Sequence, residues 1–298
     1  ALTHALSTQR LHHAYLFTGT RGVGKTTIAR ILAKSLNCET GVTAKPCGVC
    51  RACTEIDAGR FVDYIEMDAA SNRGVEEMTQ VLEQAVYAPT AGRFKVYVID
   101  EVHMLSNHAF NAMLKTLEEP PEHVVFVLAT TDPLKVAPTI RSRTQHYEFT
   151  LYTIDEIAAH LADVCAKEGV EADPEALQVI ARAAAGSMRD SLSLLDQAIA
   201  HGGAGHVIPA GEVRAMLGLA DKARVIELFD SLMRGDVASA IRNLQQQYDE
   251  GADPAQVLVE IAEFVHLVTR VKIVAGAPLA AAPKLNAARV RAKLGDAA

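Results

Sequence analysis

The first half of the chain alternates between short apolar runs and segments with helical spacing. Runs of this length, bounded by turn residues, predict buried strands at residues 14–17, 61–68, 95–101 and 124–128. Apolar positions spaced three to four apart predict helices over 28–34, from about 75 and over 106–117. Strands that alternate with helices predict a parallel α/β sheet, which binds its ligand at the carboxyl ends of its strands.

Beyond residue 150 the pattern is helical throughout. Thr153 and Glu156 form a capping box that opens one helix, and Asp173 precedes a proline that opens a second. Gly186 ends the second helix and Ser187 caps a third, and four more helices are predicted at 211–217, 221–233, 236–250 and 254–274. These patterns predict three domains, at 1–150, 151–205 and 206–298. The weakly patterned stretch from Ala275 is typical of a segment without a packed core.

Composition excludes several classes of protein. The chain has 298 residues, 49% of them hydrophobic and 22% charged, which is ordinary for two or three globular domains. Its net charge of -7 argues against a globally basic nucleic-acid coat, although a local basic face is compatible with it. No apolar run approaches the roughly 18 residues of a membrane span and no signal peptide is visible, so we expect a cytoplasmic protein. The chain opens on Ala1 without an initiator Met, and we expect a fragment.

The densest chemical signal lies between the first strand and the first helix. Residues 19–26 match the phosphate-binding pattern G-x-x-x-x-G-K-[ST] in its strand–loop–helix context. The glycines let backbone N–H groups converge on phosphates, and the helix N-terminus adds partial positive charge. We expect Lys25 to reach the outer phosphates and Thr26 to bind Mg²⁺. The candidate nucleotide-binding residues here are Gly19, Thr20, Arg21, Gly22, Val23, Gly24, Lys25, Thr26 and Thr27.

Polar side chains at two later strand ends complete a candidate hydrolytic site. The strand at 95–101 ends in Asp100, which suits a Mg²⁺ ligand, and Glu101, which suits activation of the attacking water. The strand at 124–128 delivers Thr130 and Thr131 to the same sheet edge. A hydroxyl there is able to sense a γ-phosphate or merely to satisfy a strand-end turn, and spacing alone leaves both interpretations open.

Four of the five cysteines fall in one short segment, at Cys38, Cys47, Cys50 and Cys53. Such spacing predicts a closed tetrahedral Cys₄ zinc site with a structural role. An iron–sulfur cluster is an alternative, but that motif requires a fourth cysteine followed by a proline, and Ile56 and Asp57 follow here instead. Free thiols are the third possibility. Cys165, in a helical pattern, is expected to be a core residue.

Together these motifs resemble the gamma/tau subunits of bacterial DNA polymerase III, which are the AAA+ ATPases of the sliding-clamp loader. The resemblance covers about residues 1–274. It rests on the phosphate loop and on the cysteine module after its helix, which generic AAA+ motors lack. It also rests on the motifs at 68–72, 100–105, 117–121, 129–133 and 186–190. The resemblance implies an AAA+ P-loop sheet domain with an inserted zinc module at 38–53, an all-helical lid domain and part of a helical collar domain.

The resemblance also implies roles for individual residues. Thr131 occupies the first sensor position, and Arg189 occupies the second, where a cation contacts the γ-phosphate. Arg143 occupies the arginine-finger position that acts in the neighbouring subunit's site, whereas Arg141 is interpreted as a solvated or DNA-facing charge. With Glu101 and Lys25, Arg143 completes the expected catalytic set. The helix start after residues 72–74 is expected to contact DNA phosphates.

The implied function is that of a motor that uses ATP, with Mg²⁺ and structural Zn²⁺, to load the clamp onto DNA. The chain would be an ATP hydrolase within a DNA-directed DNA polymerase holoenzyme, without a polymerase motif of its own. The implied partners form a hetero-oligomeric ring: gamma/tau copies, delta, delta-prime, the sliding clamp and primer–template DNA, with no membrane. The alternatives are another AAA+ DNA motor, such as a branch-migration helicase, or a non-hydrolysing clamp-loader subunit.

Three departures from the family pattern stand out. Thr144 replaces the cysteine that often follows the finger arginine, which is expected to leave the finger intact. The family's N-terminal adenine-binding segment is missing before Ala1, and the sequence stops inside the collar. We therefore expect a chain truncated at both ends.

Overall fold

The computed structural model describes residues 2–71, 75–202, 207–218, 222–249 and 251–273. They fall into two units: the chain up to Ile157 together with Ala184–Ser193, and Ala158–Ala183 together with the chain from Leu194. The predicted DNA contact at residues 72–74 and the stretch from Ala275 lie outside the described residues. Within the described ranges, no helix is both long enough and apolar enough to cross a bilayer.

One parallel sheet organises the first unit. Over the described residues its strands are β1 (Ala14–Thr18), β2 (Tyr64–Asp68), β3 (Lys95–Asp100), β4 (Val124–Thr130) and β5 (Gln145–Glu148). Their order is β2-β3-β4-β1-β5, and every neighbouring pair is parallel. The predicted parallel α/β fold is confirmed, and β1, which leads into the phosphate loop, lies inside the sheet. β2 begins at Tyr64, three residues later than expected, and the edge strand β5 was not predicted.

Both faces of this sheet are covered, as the uninterrupted apolar strands require. The helical elements of this part of the chain are α1 (Leu2–Ser7), α2 (Lys25–Asn37), α3 (Arg51–Asp57), α4 (Val75–Ala85), a 3₁₀ turn (Val102–Met104), α5 (Asn107–Glu118) and α6 (Pro138–Arg141). Because strand side chains alternate, Leu16 and Phe126 pack with α4 and α5, whereas Phe17 and Val127 pack with α2 and α3. The carboxyl ends of the central strands are thereby held rigidly at one edge.

The remaining elements are helices, of which the first three begin at the predicted caps. They are α7 (Ile154–Glu168), α8 (Pro174–Ala183), α9 (Met188–Gly202), α10 (Ala210–Met216), α11 (Lys222–Met233), α12 (Val237–Asp249) and α13 (Pro254–Ile273). The capping box is present, since Thr153 Oγ1 and Glu156 Oε2 lie 2.8 Å apart and the Glu156 N–H donates to Thr153 Oγ1. Ser187 caps α9 by accepting the Asp190 N–H.

In the second unit the described helices pack in two groups, α8 with α10 and α11 with both α12 and α13. α8 packs on α10, and Arg214 forms an ion pair of 2.7 Å with Glu175 between them. α11 packs on α12, with Val225, Leu228 and Ala240 buried in their common core. The predicted helical character of this half of the chain is confirmed.

Candidate nucleotide-binding site and cysteine cluster

The phosphate loop adopts the conformation that its glycines predict. Gly19, Gly22 and Gly24 all have positive φ angles, of 145°, 81° and 92°, which residues with a Cβ rarely adopt. The loop joins β1 to α2, so the N-terminus of α2 points into it. This arrangement creates a concave set of backbone N–H groups with partial positive charge, which is suited to an anion.

Lys25 is folded into this loop. Its side chain is only 6% exposed, and Nζ donates to the Gly19 carbonyl at 2.7 Å and to the Thr20 carbonyl at 2.9 Å. Burial lowers the pKa of Lys25, while the nearby carboxylates of Glu101 and Asp100 oppose that shift. The ammonium group therefore lies where the loop would receive phosphate oxygens, within electrostatic reach of both predicted carboxylates.

Thr26 and Asp100 are brought together across the sheet edge. Thr26 Oγ1 donates a hydrogen bond of 3.1 Å to Asp100 Oδ2. Asp100 Oδ1 accepts the Glu101 N–H at 2.9 Å, which fixes the orientation of the carboxylate. A hydroxyl and a carboxylate at this spacing are the oxygen ligands that Mg²⁺ accepts in nucleotide sites.

Glu101 lies in the turn after β3 and contacts the predicted first sensor. Its φ of 47° is unusual for a residue with a side chain and turns the chain sharply after the strand. Glu101 Oε2 accepts hydrogen bonds from the Thr131 N–H at 3.1 Å and from the Thr131 hydroxyl at 2.9 Å. Thr130 differs from its neighbour, because it is fully buried and its Oγ1 accepts the Asp132 N–H.

The predicted second sensor also borders the phosphate loop. The Met188 N–H donates to the Gly22 carbonyl at 3.1 Å, which ties the start of α9 to the loop. The positive charge of Arg189, the next residue, contributes to lowering the pKa of Lys25. The structure therefore gathers Lys25, Thr26, Asp100, Glu101 and Arg189 around the loop.

Arg143 lies just beyond α6, and within its own chain it contacts Glu118. Its guanidinium donates to Glu118 Oε1 at 2.6 Å and to the Thr139 carbonyl at 2.9 Å, and the side chain remains 35% exposed. Arg141, two residues earlier, contacts the Pro133 carbonyl at 3.5 Å. An exposed guanidinium that is oriented by a carboxylate is well suited to binding an anion supplied by another molecule.

The four predicted metal ligands form one cluster. The sulfur atoms of Cys38, Cys47, Cys50 and Cys53 all lie within 4.8 Å of one another. This spacing fits a tetrahedral Cys₄ site, in which Zn–S bonds of about 2.3 Å imply sulfur separations of about 3.8 Å. Burial acts to raise the pKa of the Cys38 thiol, but hydrogen bonds from the Cys47 N–H and from Thr40 outweigh it and lower that pKa to about 6. These hydrogen bonds favour the thiolate of Cys38, the form that binds a metal, whereas burial raises the pKa of the Cys53 thiol to about 12.

Two residues with contacts to the site were not singled out from the sequence. His103 contacts Glu101, and Glu118 orients Arg143. The available signal for His103 was its position two residues after Glu101, and for Glu118 its position before two prolines. Neither position specifies a side-chain direction, so the sequence pattern was insufficient.

Three consecutive segments match known protein-family models. Residues 1–152 match the family described as DNA polymerase III, delta subunit. Residues 156–204 match the DNA polymerase III clamp loader subunit, ATPase lid domain, and residues 208–294 match DNA polymerase III subunits gamma and tau domain III.

Similar curated proteins carry corresponding names. The chain is 50% identical over 273 residues to DNA polymerase III subunit tau of Escherichia coli K12, covering 92% of this chain and 42% of that protein. It is 44% identical over 276 residues to DNA polymerase III subunit gamma of Buchnera aphidicola (Schizaphis graminum), covering 91% of this chain and 74% of that one. The chain thus spans less than half the length of the Escherichia coli relative.

A solved structure shows the same fold at much lower sequence similarity. A variant of Thermotoga maritima RuvB superimposes with a TM-score of 0.53 at 18% identity, covering 88% of this chain and 82% of that one. At this identity the match bears on the fold alone, and it agrees with the predicted AAA+ sheet.

Proposed function

The chain belongs to the gamma/tau subunit family of DNA polymerase III, and we propose that it is an ATP hydrolase that drives loading of a sliding clamp onto primed DNA. The observation that carries the proposal is the convergence of Lys25, Thr26, Asp100 and Glu101 at the carboxyl edge of the sheet. Each of the four has the chemistry that its position requires: a cation, a hydroxyl, a metal-binding carboxylate and a second carboxylate for water.

The roles of these residues follow from their contacts. Backbone N–H groups of residues 19–25 bind the phosphates, and Lys25 Nζ exchanges the carbonyls of Gly19 and Thr20 for phosphate oxygens. Thr26 and Asp100 hold Mg²⁺, which supplies positive charge to the phosphates when bound. Glu101 orients the attacking water and accepts its proton. Thr131 and Arg189 sense the terminal phosphate.

We propose that Arg143 acts in trans as an arginine finger. Its exposure and its pairing with Glu118 support this role, because the guanidinium is presented in one orientation at the surface. A finger supplied by a neighbouring subunit typically raises the hydrolysis rate by about 10³–10⁵. An isolated subunit is therefore expected to hydrolyse ATP slowly.

We propose that the cysteine cluster holds a structural zinc ion. The four cysteine sulfurs fill a tetrahedral coordination shell, so no position remains for substrate. Helix α3 begins inside this segment, with the Cys50 sulfur accepting the Cys53 N–H. Metal binding would therefore fix the start of α3 against the sheet domain.

The family also supplies the setting that we propose for the chain. Its partners are further gamma/tau copies, delta and delta-prime in a ring, together with the clamp and primer–template DNA, within a cytoplasmic polymerase holoenzyme. We further propose domain boundaries near residues 150 and 205, which the matched segments 1–152, 156–204 and 208–294 support. Polymerisation itself is assigned to other subunits.

The test is ATP turnover by the full-length subunit assembled with its clamp-loader partners, with and without clamp and primed DNA. We expect strong stimulation that Arg143→Ala abolishes, while Arg60→Ala, at another exposed arginine, leaves it unchanged. Glu101→Gln is expected to retain ATP binding and lose about 10²–10⁴ in hydrolysis rate.

Other outcomes of that assay would point to other functions. Turnover that ignores the clamp would indicate a different DNA motor. Tight ATP binding without turnover would indicate a non-hydrolysing subunit.

A further inference from the structure

His103, within the motif at 100–105, lies beside the proposed hydrolytic carboxylate and has none of the roles proposed above. Its side chain is 10% exposed, and Nδ1 lies 3.3 Å from Glu101 Oε2 and 2.9 Å from Thr130 Oγ1. The imidazole thus bridges the turn after β3 and the end of β4, the two strands that deliver Glu101 and Thr131.

The backbone of the turn fixes the position of this ring. Within it the Met104 N–H donates to the Glu101 carbonyl at 2.8 Å, and the Leu105 N–H donates to the Val102 carbonyl at 3.1 Å. Val102 and Leu105, on either side, are buried in the core. The turn cannot shift without exposing these anchors, so His103 is held in a fixed place relative to Glu101.

The groups around Nδ1 determine whether this nitrogen carries the hydrogen of the ring. A carboxylate only accepts hydrogen bonds, so an Nδ1 lone pair facing Glu101 Oε2 at 3.3 Å would be repelled. The tautomer with hydrogen on Nδ1 removes this repulsion, because it donates to Thr130 Oγ1 at 2.9 Å and presents the positive edge of the ring to Glu101 Oε2. The Thr130 hydroxyl accepts the Asp132 N–H at 3.0 Å and keeps a second lone pair with which to accept from Nδ1.

Two hydrogen bonds therefore hold one oxygen of Glu101, from the Thr131 N–H and from the Thr131 hydroxyl, and His103 Nδ1 lies 3.3 Å from the same oxygen as a third polar contact. Within the part of the chain that the structure describes, no group donates a hydrogen bond to Glu101 Oε1. One oxygen anchors the carboxylate, and the other remains available to accept a hydrogen bond from water.

We infer that His103 is a positioning residue for ATP hydrolysis, which holds Glu101 through Oε2 so that Oε1 is presented to the attacking water. The inference rests on the proposed hydrolytic function. No covalent step passes through the imidazole.

The test compares three substitutions of His103 in the full-length subunit within its assembled complex. The side-chain amide of His103→Asn places an N–H near the position of Nδ1, whereas the longer His103→Gln places it near Nε2. His103→Ala supplies neither. The control is His108→Ala, at an exposed histidine on α5. Steady-state kcat, affinity for a fluorescent ATP analogue and thermal midpoint are measured for each variant.

We expect His103→Ala and His103→Gln to lower kcat about tenfold, equivalent to about 1.4 kcal/mol and within the range of a hydrogen bond to a charged group. His103→Asn should stay within about threefold of wild type, and nucleotide affinity should change less than twofold in all three. Equal losses for Asn, Gln and Ala, or losses of kcat that follow the thermal midpoint and nucleotide affinity, would overturn the inference.

The parallel Glu101→Gln variant separates this inference from the proposed function. If Glu101→Gln retains full turnover, the hydrolytic role of Glu101 fails and the role of His103 fails with it. If Glu101→Gln is inactive and His103→Ala matches wild type, only the positioning role is refuted.

Discussion

Gly22 in the phosphate loop cannot be replaced by alanine without two separable costs. Its φ of +81° is left-handed, and an L-residue in that region costs about 1–2 kcal/mol. An added Cβ would also lie 2.0 Å from Ser187 Oγ and 3.0 Å from Ser187 Cβ, far inside contact distance. Overpacking of this kind costs about 1–3 kcal/mol. Gly22→Ala should therefore destabilise the first unit by about 2–5 kcal/mol.

Two further variants divide this cost into its parts. Gly59 has a φ of +66°, and nothing lies within 4 Å of its added Cβ, so Gly59→Ala bears only the conformational cost. Ser187→Gly removes the clashing side chain, and glycine at an N-cap costs only a few tenths of a kcal/mol relative to serine. The double variant Gly22→Ala/Ser187→Gly should therefore recover the overpacking part, about 1–3 kcal/mol.

The assay is urea unfolding, in which midpoints are compared between variants whose unfolding free energy depends equally steeply on urea concentration. It is combined with titration of a fluorescent ATP analogue. Because Gly22, which contacts Ser187, is itself part of the phosphate loop, Gly22→Ala should weaken nucleotide binding at least tenfold. The double variant should restore part of that binding. The reasoning is refuted if Gly22→Ala unfolds at the same midpoint as Gly59→Ala. It is also refuted if adding Ser187→Gly to Gly22→Ala restores none of the lost stability.

Three further predictions concern sites away from the loop. Asp63 is fully buried and accepts the N–H groups of residues 90–92, so Asp63→Ala should cost at least about 3 kcal/mol in urea unfolding, and a cost below about 1 kcal/mol would contradict this. Cys50→Ser should reduce bound zinc, measured by mass spectrometry, below one per chain, whereas Cys165→Ser should leave it unchanged. Hydrogen bonds from the Thr153 N–H and hydroxyl lower the pKa of Glu156 from its usual 4.5. Its contribution to stability is therefore present above pH 4.5 and lost as pH falls through the folded-state pKa. Glu156→Gln should therefore weaken the dependence of the unfolding free energy on pH across that range, measured by urea unfolding at each pH.

The elements that were predicted correctly are those specified by local sequence. β1, β3 and β4 are uninterrupted apolar runs, and the helix starts at Thr153 and Ser187 carry their caps within four residues. β5 was missed because its residues Gln145–Glu148 contain no apolar run and it pairs only with β1, more than 120 residues away in sequence. Helix α3 was missed because its N-cap is a cysteine sulfur, which is not among the usual capping groups.

The site divides in the same way. The phosphate loop and its carboxylates were predicted, because that chemistry depends on residue type and spacing along one strand–loop–helix unit. The contacts of Glu101 with Thr131 and His103 depend instead on the left-handed turn at Glu101, with φ of 47°, and on the register of β3 against β4. No periodicity specifies that turn, so the direction of the Glu101 carboxylate had to come from the structure.

The bond between Glu101 and Thr131 limits what the proposed sensor does. A hydroxyl has one proton to donate, and in this structure the Thr131 hydroxyl donates it to Glu101 Oε2 at 2.9 Å. If Thr131 donates that proton to a γ-phosphate instead, Oε2 loses one of its two hydrogen bonds. The Thr131 N–H and His103 Nδ1 then remain to hold the carboxylate. When the nucleotide is sensed, the orientation of Glu101 would therefore depend more on His103. His103→Ala should accordingly lower the rate of ATP hydrolysis while changing the thermal midpoint of the nucleotide-free protein little.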